Sequence, residues 1–194
     1  MINSIQVIDD VLPWQNFTEL AYDIMKSQTY LPVDSTVNPN ETDGSINDFG
    51  MVTYPKQKIH EAIFCSLMYD NGDDKGRYPY GKFISNIFAK HEVTLHKLYE
   101  KLGVTNLQNA RVNCTTGQAK KYTSAYHTDF SDEINHHSTA IVYLNTNNGG
   151  TQFLEEGFIE SRANRAIIFP NHIQHAGVWC TDKKLRFVAN FNYQ

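Results

Sequence analysis

Seven short runs of β-type residues follow one another after Gly103, and this series is the feature that most constrains the fold. The runs are separated by turn residues and show no helical period. Such a series is typical of antiparallel sheets that form a sandwich or barrel. The sequence therefore predicts a mainly β fold with flanking helices, in which residues 105–194 form a sandwich or barrel of antiparallel sheets. The runs are "ARVNCTT", "SAYHTDF", "STAIVYLN", "TQFLEE", "NRAIIFP", "HAGVWC" and "LRFVANFNY".

The first 104 residues show helical periodicity instead. Asn16 and Glu19 have the spacing of a capping box at the start of a helix. Apolar residues recur at three- and four-residue steps from Ile84 to Leu102, which predicts a second helix that ends at Gly103. We expect these helices to support the barrel from outside, within one domain that spans residues 1–194.

Two features of this first part bear on function. His91 lies on the apolar face of the second predicted helix, so we interpret it as a partnered core residue rather than a metal ligand. The stretches 31–50 and 70–81 are rich in Pro, Asn, Asp and Gly and are predicted to be long loops. Loops of this kind either cover binding sites or are plain surface connections.

Composition limits the classes of function. Among 194 residues, 17 are basic and 21 acidic. The net charge of -4 indicates no general excess of positive charge that would bind nucleic acid. No apolar stretch of 18 residues occurs, so we expect no membrane partner. The cysteines at 65, 114 and 180 are odd in number and widely spaced, which indicates neither a disulfide framework nor a CxxC zinc site. We expect a cytoplasmic protein with reduced thiols.

A His-x-Asp pair lies in "YHTDF", at His127 and Asp129. Because residues two apart in a strand share one face, both side chains can reach one point inside a barrel. A third ligand must come from elsewhere, and "FPNHIQHAGV" offers His172 and His175. Two histidines and one carboxylate leave three octahedral positions open, which suits non-haem Fe(II), whereas a catalytic zinc needs one. The pair alone is a weak signal, since ~0.5 such pairs are expected by chance.

Arg186 lies 11 residues after His175, inside the apolar run "LRFVANF". An arginine that faces inward from such a strand needs an anionic partner. Its guanidinium can hold the distal end of a dicarboxylate through two parallel hydrogen bonds. A lone arginine in a strand is more often exposed, but beside a metal triad we interpret Arg186 as a ligand-binding residue.

Taken together, these residues resemble the Fe(II)- and 2-oxoglutarate-dependent dioxygenases, whose double-stranded β-helix carries His-x-Asp, a distal His and a late Arg or Lys in this order. The segments "TAIVYLNTNNGGTQFLEE" and "NRAIIFPNHIQHAGV" are similar to the family's strands around the ligand positions. The opening "IQVIDDVLP", followed by a helix, is similar to that of the prolyl-4-hydroxylase-like branch. The resemblance covers residues 105–194 closely and the first hundred loosely.

The resemblance implies an iron centre with three protein ligands. His127, Asp129 and His175 would be these ligands. His175 is preferred to His172 because the family places the distal ligand directly before a small residue and Gly, as in "HAG". The implied cofactors are Fe(II), 2-oxoglutarate as cosubstrate and O₂, with ascorbate as an optional addition.

The resemblance also implies a binding site for the cosubstrate. Arg186 would pair with the 5-carboxylate of 2-oxoglutarate. Asn113 and Tyr122 would contact the same molecule, although "NCTTGQAKKYTSAYHTD" departs from the commoner N-x-Tyr form. As alternatives, Asn113 is a polar residue of a strand and Tyr122 a packing residue.

The function implied by the resemblance is hydroxylation of a peptide, an amino acid or another small polar substrate, with release of succinate and CO₂. Oxidative demethylation is the alternative when the target carbon is an N-methyl group. A cupin-like barrel that binds a metal or ligand without oxygen chemistry is a second alternative, but it has no need of a buried Arg186. A structural barrel with a coincidental His-x-Asp is a third, and it would retain no metal.

Overall fold

The computed structural model describes residues 4–27, 31–33, 52–53, 63–70, 82–83, 86–129 and 137–194. Within these ranges the chain forms three helices and thirteen strands. The helices are α1 (Trp14–Ser27), α2 (Ile87–Lys90) and α3 (Glu92–Leu102). The strands are β1 (Gln6–Ile8), β2 (Leu31–Val33), β3 (Val52–Thr53), β4 (Ile63–Asp70), β5 (Lys82–Phe83), β6 (Leu107–Thr116), β7 (His127–Thr128), β8 (Ser138–Tyr143), β9 (Gly150–Phe153), β10 (Gly157–Glu160), β11 (Ala166–Pro170), β12 (His175–Val178) and β13 (Leu185–Tyr193).

The strands form two antiparallel sheets that pack face to face. The larger sheet has eight strands in the order β1-β11-β8-β13-β6-β4-β2, with β5 paired to β4, and the smaller has five in the order β10-β9-β12-β7-β3. From β6 to β13 the chain passes repeatedly from one sheet to the other. Between the sheets, Phe153 of β9 meets Phe169 of β11 edge to face, with ring centroids 5.0 Å apart. The predicted mainly β architecture is confirmed, and the double-stranded β-helix remains a prediction.

Alternating side chains of β13 lie in two different environments. Phe187 and every second residue to Tyr193 pack in the core between the larger sheet and the helices. Arg186, Val188 and Asn190 point between the sheets and line a pocket there. The helices therefore cover the outer face of the larger sheet, as predicted. In the described part of the chain, no helix has the length and apolarity needed to cross a membrane.

Helix α1 begins at Trp14, two residues before the predicted capping box, so that prediction is wrong. Pro13 precedes the first turn, and its carbonyl accepts a hydrogen bond from the N–H of Phe17 at 3.0 Å. Proline suits this position because it has no N–H that would need a partner. The Asn16 side chain instead donates to Oγ1 of Thr94 on α3, at 3.5 Å.

The predicted helix from Ile84 to Leu102 is interrupted at His91, which separates α2 from α3 with φ -117° and ψ 26°. The His91 side chain is buried, and its Nε2 lies 2.7 Å from Oδ2 of Asp23 on α1. The prediction of a partnered core histidine is therefore confirmed. Gly103 ends α3 as predicted, with a φ of 72° that glycine adopts without strain. Ile84 lies outside the described residues.

The first hundred residues contribute more strands than predicted. β4 lies beside β6 in the larger sheet with β2 as its outer neighbour, and β3 pairs with β7 in the smaller sheet. The stretch 31–50 therefore begins with a strand rather than a loop, and the rest of it lies outside the described residues. The stretch 70–81 begins at the last residue of β4, and residues 71–81 likewise lie outside them. β2 and β3 have three and two residues, and pairing with partners far along the chain decides such short strands, which propensity alone does not predict.

Candidate metal centre

Three ligand-type side chains of the smaller sheet meet at one point. His127 of β7 and His175 of β12 are direct cross-strand partners, and Asp129 follows β7. The Nε2 atoms of His127 and His175 lie 4.0 and 3.9 Å from Oδ1 of Asp129. All three donor atoms lie within 4.8 Å of one another, so one ion can bridge them.

Backbone carbonyls orient both imidazole rings. Nδ1 of His127 lies 3.3 Å from the carbonyl oxygen of Ala125, and Nδ1 of His175 lies 3.1 Å from that of Ile173. Since a carbonyl oxygen only accepts hydrogen bonds, each Nδ1 must carry the proton. In the neutral rings the lone pair is then on Nε2, the atom that faces Asp129. This is the tautomer in which histidine binds a metal through Nε2.

The two carboxylate oxygens of Asp129 have different partners. Oδ2 accepts a hydrogen bond from the hydroxyl of Thr139 on β8 at 2.6 Å. Oδ1 faces the two histidines and lies 3.6 Å from a guanidinium nitrogen of Arg111 on β6. The Asp129 side chain is buried. The Asp129 carboxylate is thus hydrogen-bonded through Oδ2 and directs Oδ1 toward the histidines.

The electrostatics of the cluster favour its metal-binding protonation state. Burial and the neighbouring His175 lower the pKa of His127 to about 3, so this ring is neutral at pH 7. Burial raises the pKa of the Asp129 carboxyl, but His175, Arg111, His127 and the Thr139 hydroxyl together outweigh that effect, and the pKa is lowered. A neutral imidazole and an ionised carboxylate are the forms that coordinate a metal ion.

Of the two candidate histidines in "NHIQH", the structure brings His175 to the cluster. His172 is exposed on the turn between β11 and β12. His175 is buried, and the rings of Phe169 and Phe153 pack against it with centroids 4.8 and 6.1 Å away. The preference for His175 in the sequence thus agrees with the geometry.

Arg186 lines the same pocket as the triad and is buried, with 5% of its surface exposed. One of its guanidinium nitrogens donates to the carbonyl of Gly150 at 2.8 Å, and the group lies 5.8 Å from the ring centroid of Tyr143. Its Nε has no hydrogen-bond partner, and no carboxylate of the described residues lies within 4.0 Å of it. Burial lowers the pKa of this guanidinium, but arginine stays cationic in proteins. A buried cation therefore faces the pocket.

The two other predicted cosubstrate-binding residues lie in different places. Asn113 points into the pocket from β6, and its Oδ1 is buried without a hydrogen-bond partner. Tyr122 does not line the pocket, and its ring packs edge to face on Trp179, with centroids 5.3 Å apart. Tyr122 can thus act on the pocket through Trp179, which does line it. The roles of both residues stay predictions.

Arg111 is a charged pocket residue that the sequence reasoning missed. It is buried beside Asp129 and points between the sheets from β6. The signal was present in "ARVNCTT", where Arg111, Asn113 and Thr115 alternate with apolar residues. A polar residue at every second position indicates a strand with one polar face. Because the other face is buried by the helices, that polar face must point inward.

The pocket fits a metal ion together with a polar ligand. Its empty volume is about 590 Å³, part of which is open to solvent. Two imidazole nitrogens and a carboxylate oxygen are a donor set suited to Fe(II). Buried polar atoms without partners are rare in proteins, yet five residues of this pocket carry one. They are Asn113 (Oδ1), Thr115 (Oγ1), Trp179 (Nε1), Arg186 (Nε) and Asn190 (Oδ1).

Solved structures with a similar fold include a prolyl hydroxylase, a member of the 2OG-Fe(II) oxygenase family and an alpha ketoglutarate dependent epimerase. A prolyl hydroxylase from Trichoplax adhaerens, in complex with a hypoxia inducible factor oxygen degradation domain peptide fragment, is 15% identical, with a TM-score of 0.57 over 98% of this chain and 83% of that chain. An oxidoreductase of the 2OG-Fe(II) oxygenase family from Burkholderia pseudomallei is 9% identical, with a TM-score of 0.60 over 97% of this chain and 85% of that chain. The epimerase SnoN, in complex with Fe³⁺, alpha ketoglutarate and nogalamycin RO, is 12% identical, with a TM-score of 0.56 over 97% and 77%.

The chain therefore has the fold of the 2OG-Fe(II) oxygenases, prolyl hydroxylases among them. The sequence itself matches no family model and no curated protein. The likeness is one of fold.

Proposed function

We propose that this protein is an Fe(II)- and 2-oxoglutarate-dependent dioxygenase that hydroxylates a peptide, an amino acid or another small polar substrate, with release of succinate and CO₂. The observation that carries the proposal is one pocket that holds both the His127, Asp129 and His175 cluster and the buried cation of Arg186. A cupin-like metal site uses such a cluster but has no need of a buried guanidinium. The shared fold supports the same function.

In this proposal His127, Asp129 and His175 hold Fe(II). Iron bound there would supply, with 2-oxoglutarate and O₂, the oxidation of a substrate C–H bond. The carbonyls at the Nδ1 atoms of both histidines select the tautomer whose lone pair is on Nε2, and the chain presents one oxygen of Asp129. The aromatic rings packed on His175 exclude water from that side of the site. A dry site strengthens the electrostatic interactions within it.

Arg186 would bind the distal carboxylate of 2-oxoglutarate. Its guanidinium is fixed by Gly150 and Tyr143, so little side-chain entropy is lost when the anion binds. Asn113 would add a polar contact from β6, and Tyr122 would act through Trp179. Ascorbate is an optional further cofactor of this proposal.

A peptide or small-molecule substrate is proposed on two grounds. The Trichoplax enzyme was solved with a peptide and SnoN with nogalamycin RO, so this fold accommodates both classes. The net charge of -4 does not favour nucleic acid. Oxidative demethylation is the alternative outcome at the same centre.

We further propose a single domain over residues 1–194 whose two sheets form a double-stranded β-helix. Residues 105–194 form most of its core, and we propose that the protein is cytoplasmic.

Anaerobic Fe(II) binding tests the proposal. Wild-type protein should bind one Fe(II) per chain, and Asp129→Ala and His175→Ala should lose most of that affinity while circular dichroism shows the same fold. His172→Ala is the matched control, because it removes an exposed histidine three residues from His175 and should bind iron normally. Unchanged iron binding by Asp129→Ala would refute the site. Iron binding without any binding of 2-oxoglutarate would favour the cupin-like alternative.

A further inference from the structure

Two buried polar residues lie behind the metal-facing carboxylate. The Thr139 side chain on β8 has no exposed surface, and its hydroxyl donates to Oδ2 of Asp129 at 2.6 Å. The side-chain amide of Asn192 on β13, which is also buried, lies 3.0 Å from the same hydroxyl oxygen. Thr139 and Asn192 are cross-strand partners in the larger sheet, so their backbones hold this arrangement.

The direction of these hydrogen bonds follows from a count of protons. A threonine hydroxyl has one proton, and the shorter contact, to an ionised oxygen, takes it. In the structure the Asn192 atom nearest the hydroxyl is Oδ1, which would compete for the same proton. Because amide nitrogen and oxygen are interchangeable in such an assignment, we turn the amide over, and the hydroxyl oxygen then accepts from the N–H₂ group of Asn192. Two hydrogen bonds in series therefore connect these residues: Asn192 donates to Thr139, and Thr139 donates to Oδ2 of Asp129.

We propose that Thr139, oriented by Asn192, is a positioning residue that restricts Asp129 to one coordinating oxygen. This inference rests on the proposed function. A carboxylate binds a metal through one oxygen or through both, and the second mode takes one more coordination position. A His₂-carboxylate site keeps three positions open when the carboxylate uses one oxygen. Chelation of 2-oxoglutarate needs two of them and O₂ the third.

The environment of Asp129 makes this role specific to Thr139. Arg111 contacts the carboxylate at Oδ1, the oxygen that faces the histidines, so it does not restrain Oδ2. Among the residues that the structure describes, Thr139 is the donor to Oδ2. Without its hydroxyl, Oδ2 would lack that donor in a buried site, and coordination to the metal would satisfy it.

Thr139→Val removes the hydroxyl and keeps the branched shape. The variant should bind Fe(II) as tightly as the wild type or more tightly, while the dissociation constant for 2-oxoglutarate rises about tenfold, at the low end of effects for residues that orient metal ligands. Anaerobic titration of metal, and then of 2-oxoglutarate into the loaded protein, gives both constants without turnover. Thr139→Ser keeps a hydroxyl and should restore the wild-type values. If the valine substitution prevents folding, Thr139→Cys, whose S–H is a weaker donor than a hydroxyl, should show a smaller rise in the same direction.

Three outcomes would overturn the inference. Equal 2-oxoglutarate constants for Thr139→Val and wild type would show that the hydroxyl does not control coordination. Loss of iron affinity with an unchanged 2-oxoglutarate constant would show that Thr139 only orients the ligand. In both cases the wild type still binds iron and cosubstrate, so the proposed function stands. A wild type that binds neither would overturn both.

Discussion

Replacing Arg186 with methionine removes the buried cation of the pocket while it keeps an unbranched side chain of similar length. The first expected effect is on cosubstrate binding. A guanidinium that pairs with a carboxylate through two charge-assisted hydrogen bonds contributes about 1.5 kcal/mol or more for each bond. Loss of both corresponds to about 3 kcal/mol, or a rise of about 150-fold in the dissociation constant for 2-oxoglutarate. Iron binding should not change, because Arg186 does not touch the triad.

The second expected effect is on stability. Whereas the substitution weakens cosubstrate binding, it should leave the folded protein as stable as the wild type or more stable. The variant loses the hydrogen bond to Gly150 and the contact with the Tyr143 ring, about 2.5 kcal/mol together. It also removes the desolvation penalty of a buried charge without a carboxylate partner among the described residues, which is several kcal/mol. The unfolding free energy should therefore be unchanged or up to about 2 kcal/mol higher. For a chain of this size that is a rise in Tm of as much as about 4–8 °C.

The assay compares 2-oxoglutarate with 2-oxopentanoate, which has the same carbon chain without the distal carboxylate. Wild-type protein should bind 2-oxoglutarate far more tightly than 2-oxopentanoate, and Arg186→Met should bind the two about equally. Arg162→Met is the control, because Arg162 is 60% exposed and its loss should change neither binding nor Tm. Two results would refute the reasoning: a wild type that does not distinguish the two ligands, or an Arg186→Met protein that loses iron along with cosubstrate.

Two further predictions concern the stability of the metal-free protein. The folded-state pKa of His127 is about 3, against 6.5 for a free histidine. The contribution of this residue to the free energy of unfolding is therefore fully present above pH 6.5 and is lost as the pH falls toward 3. Urea titrations at pH 7 and pH 5 should differ by as much as about 2 kcal/mol through this residue; the difference should shrink in His127→Gln and persist in the exposed control His96→Gln. Gly150→Ala should destabilise more than Gly103→Ala, because a Cβ at 150 would lie 2.2 Å from the carbonyl oxygen of Ile159, whereas at 103 it meets nothing within 4 Å. The cost at 103 is then about 1 kcal/mol of left-handed strain, and equal melting temperatures for the two variants would contradict this comparison.

The later strands of the fold were predictable because their sequences carry the pattern themselves. Runs such as "STAIVYLN" and "NRAIIFP" are apolar on both faces, and they lie buried between the helices and the smaller sheet. Strands β2, β3 and β5 have only two or three residues each, too few to specify a strand by themselves, and they form by pairing with partners elsewhere in the chain. Strand β4 has eight residues and was not predicted despite its length.

The break at His91 has a similar cause. The apolar period continues through it, and the side chain at the break contacts Asp23, 68 residues earlier in the chain. Local sequence does not contain that information.

The residues of the candidate site were predictable from the sequence, but the contacts that surround them were not. The spacing of His127 and Asp129 follows from strand geometry, and Arg186 stands out in an apolar run. The alternation around Arg111 indicates an inward polar face, but not that this strand lies beside Asp129. The link from Thr139 to that carboxylate joins the larger sheet to the smaller one, and its contact with Asn192 depends on the pairing of β8 with β13, so both appear in the folded chain alone.

The most direct test of the central claim is anaerobic titration of the Fe(II)-loaded protein with 2-oxoglutarate, monitored in the visible range. Chelation of iron by the cosubstrate gives a weak metal-to-ligand charge-transfer band, so the band reports the metal and the cosubstrate together. We predict that the band appears in the wild type and in His172→Ala, and that it is absent from His175→Ala. An iron-loaded wild type that never develops the band would contradict the assignment of this pocket as a 2-oxoglutarate-dependent oxygenase centre.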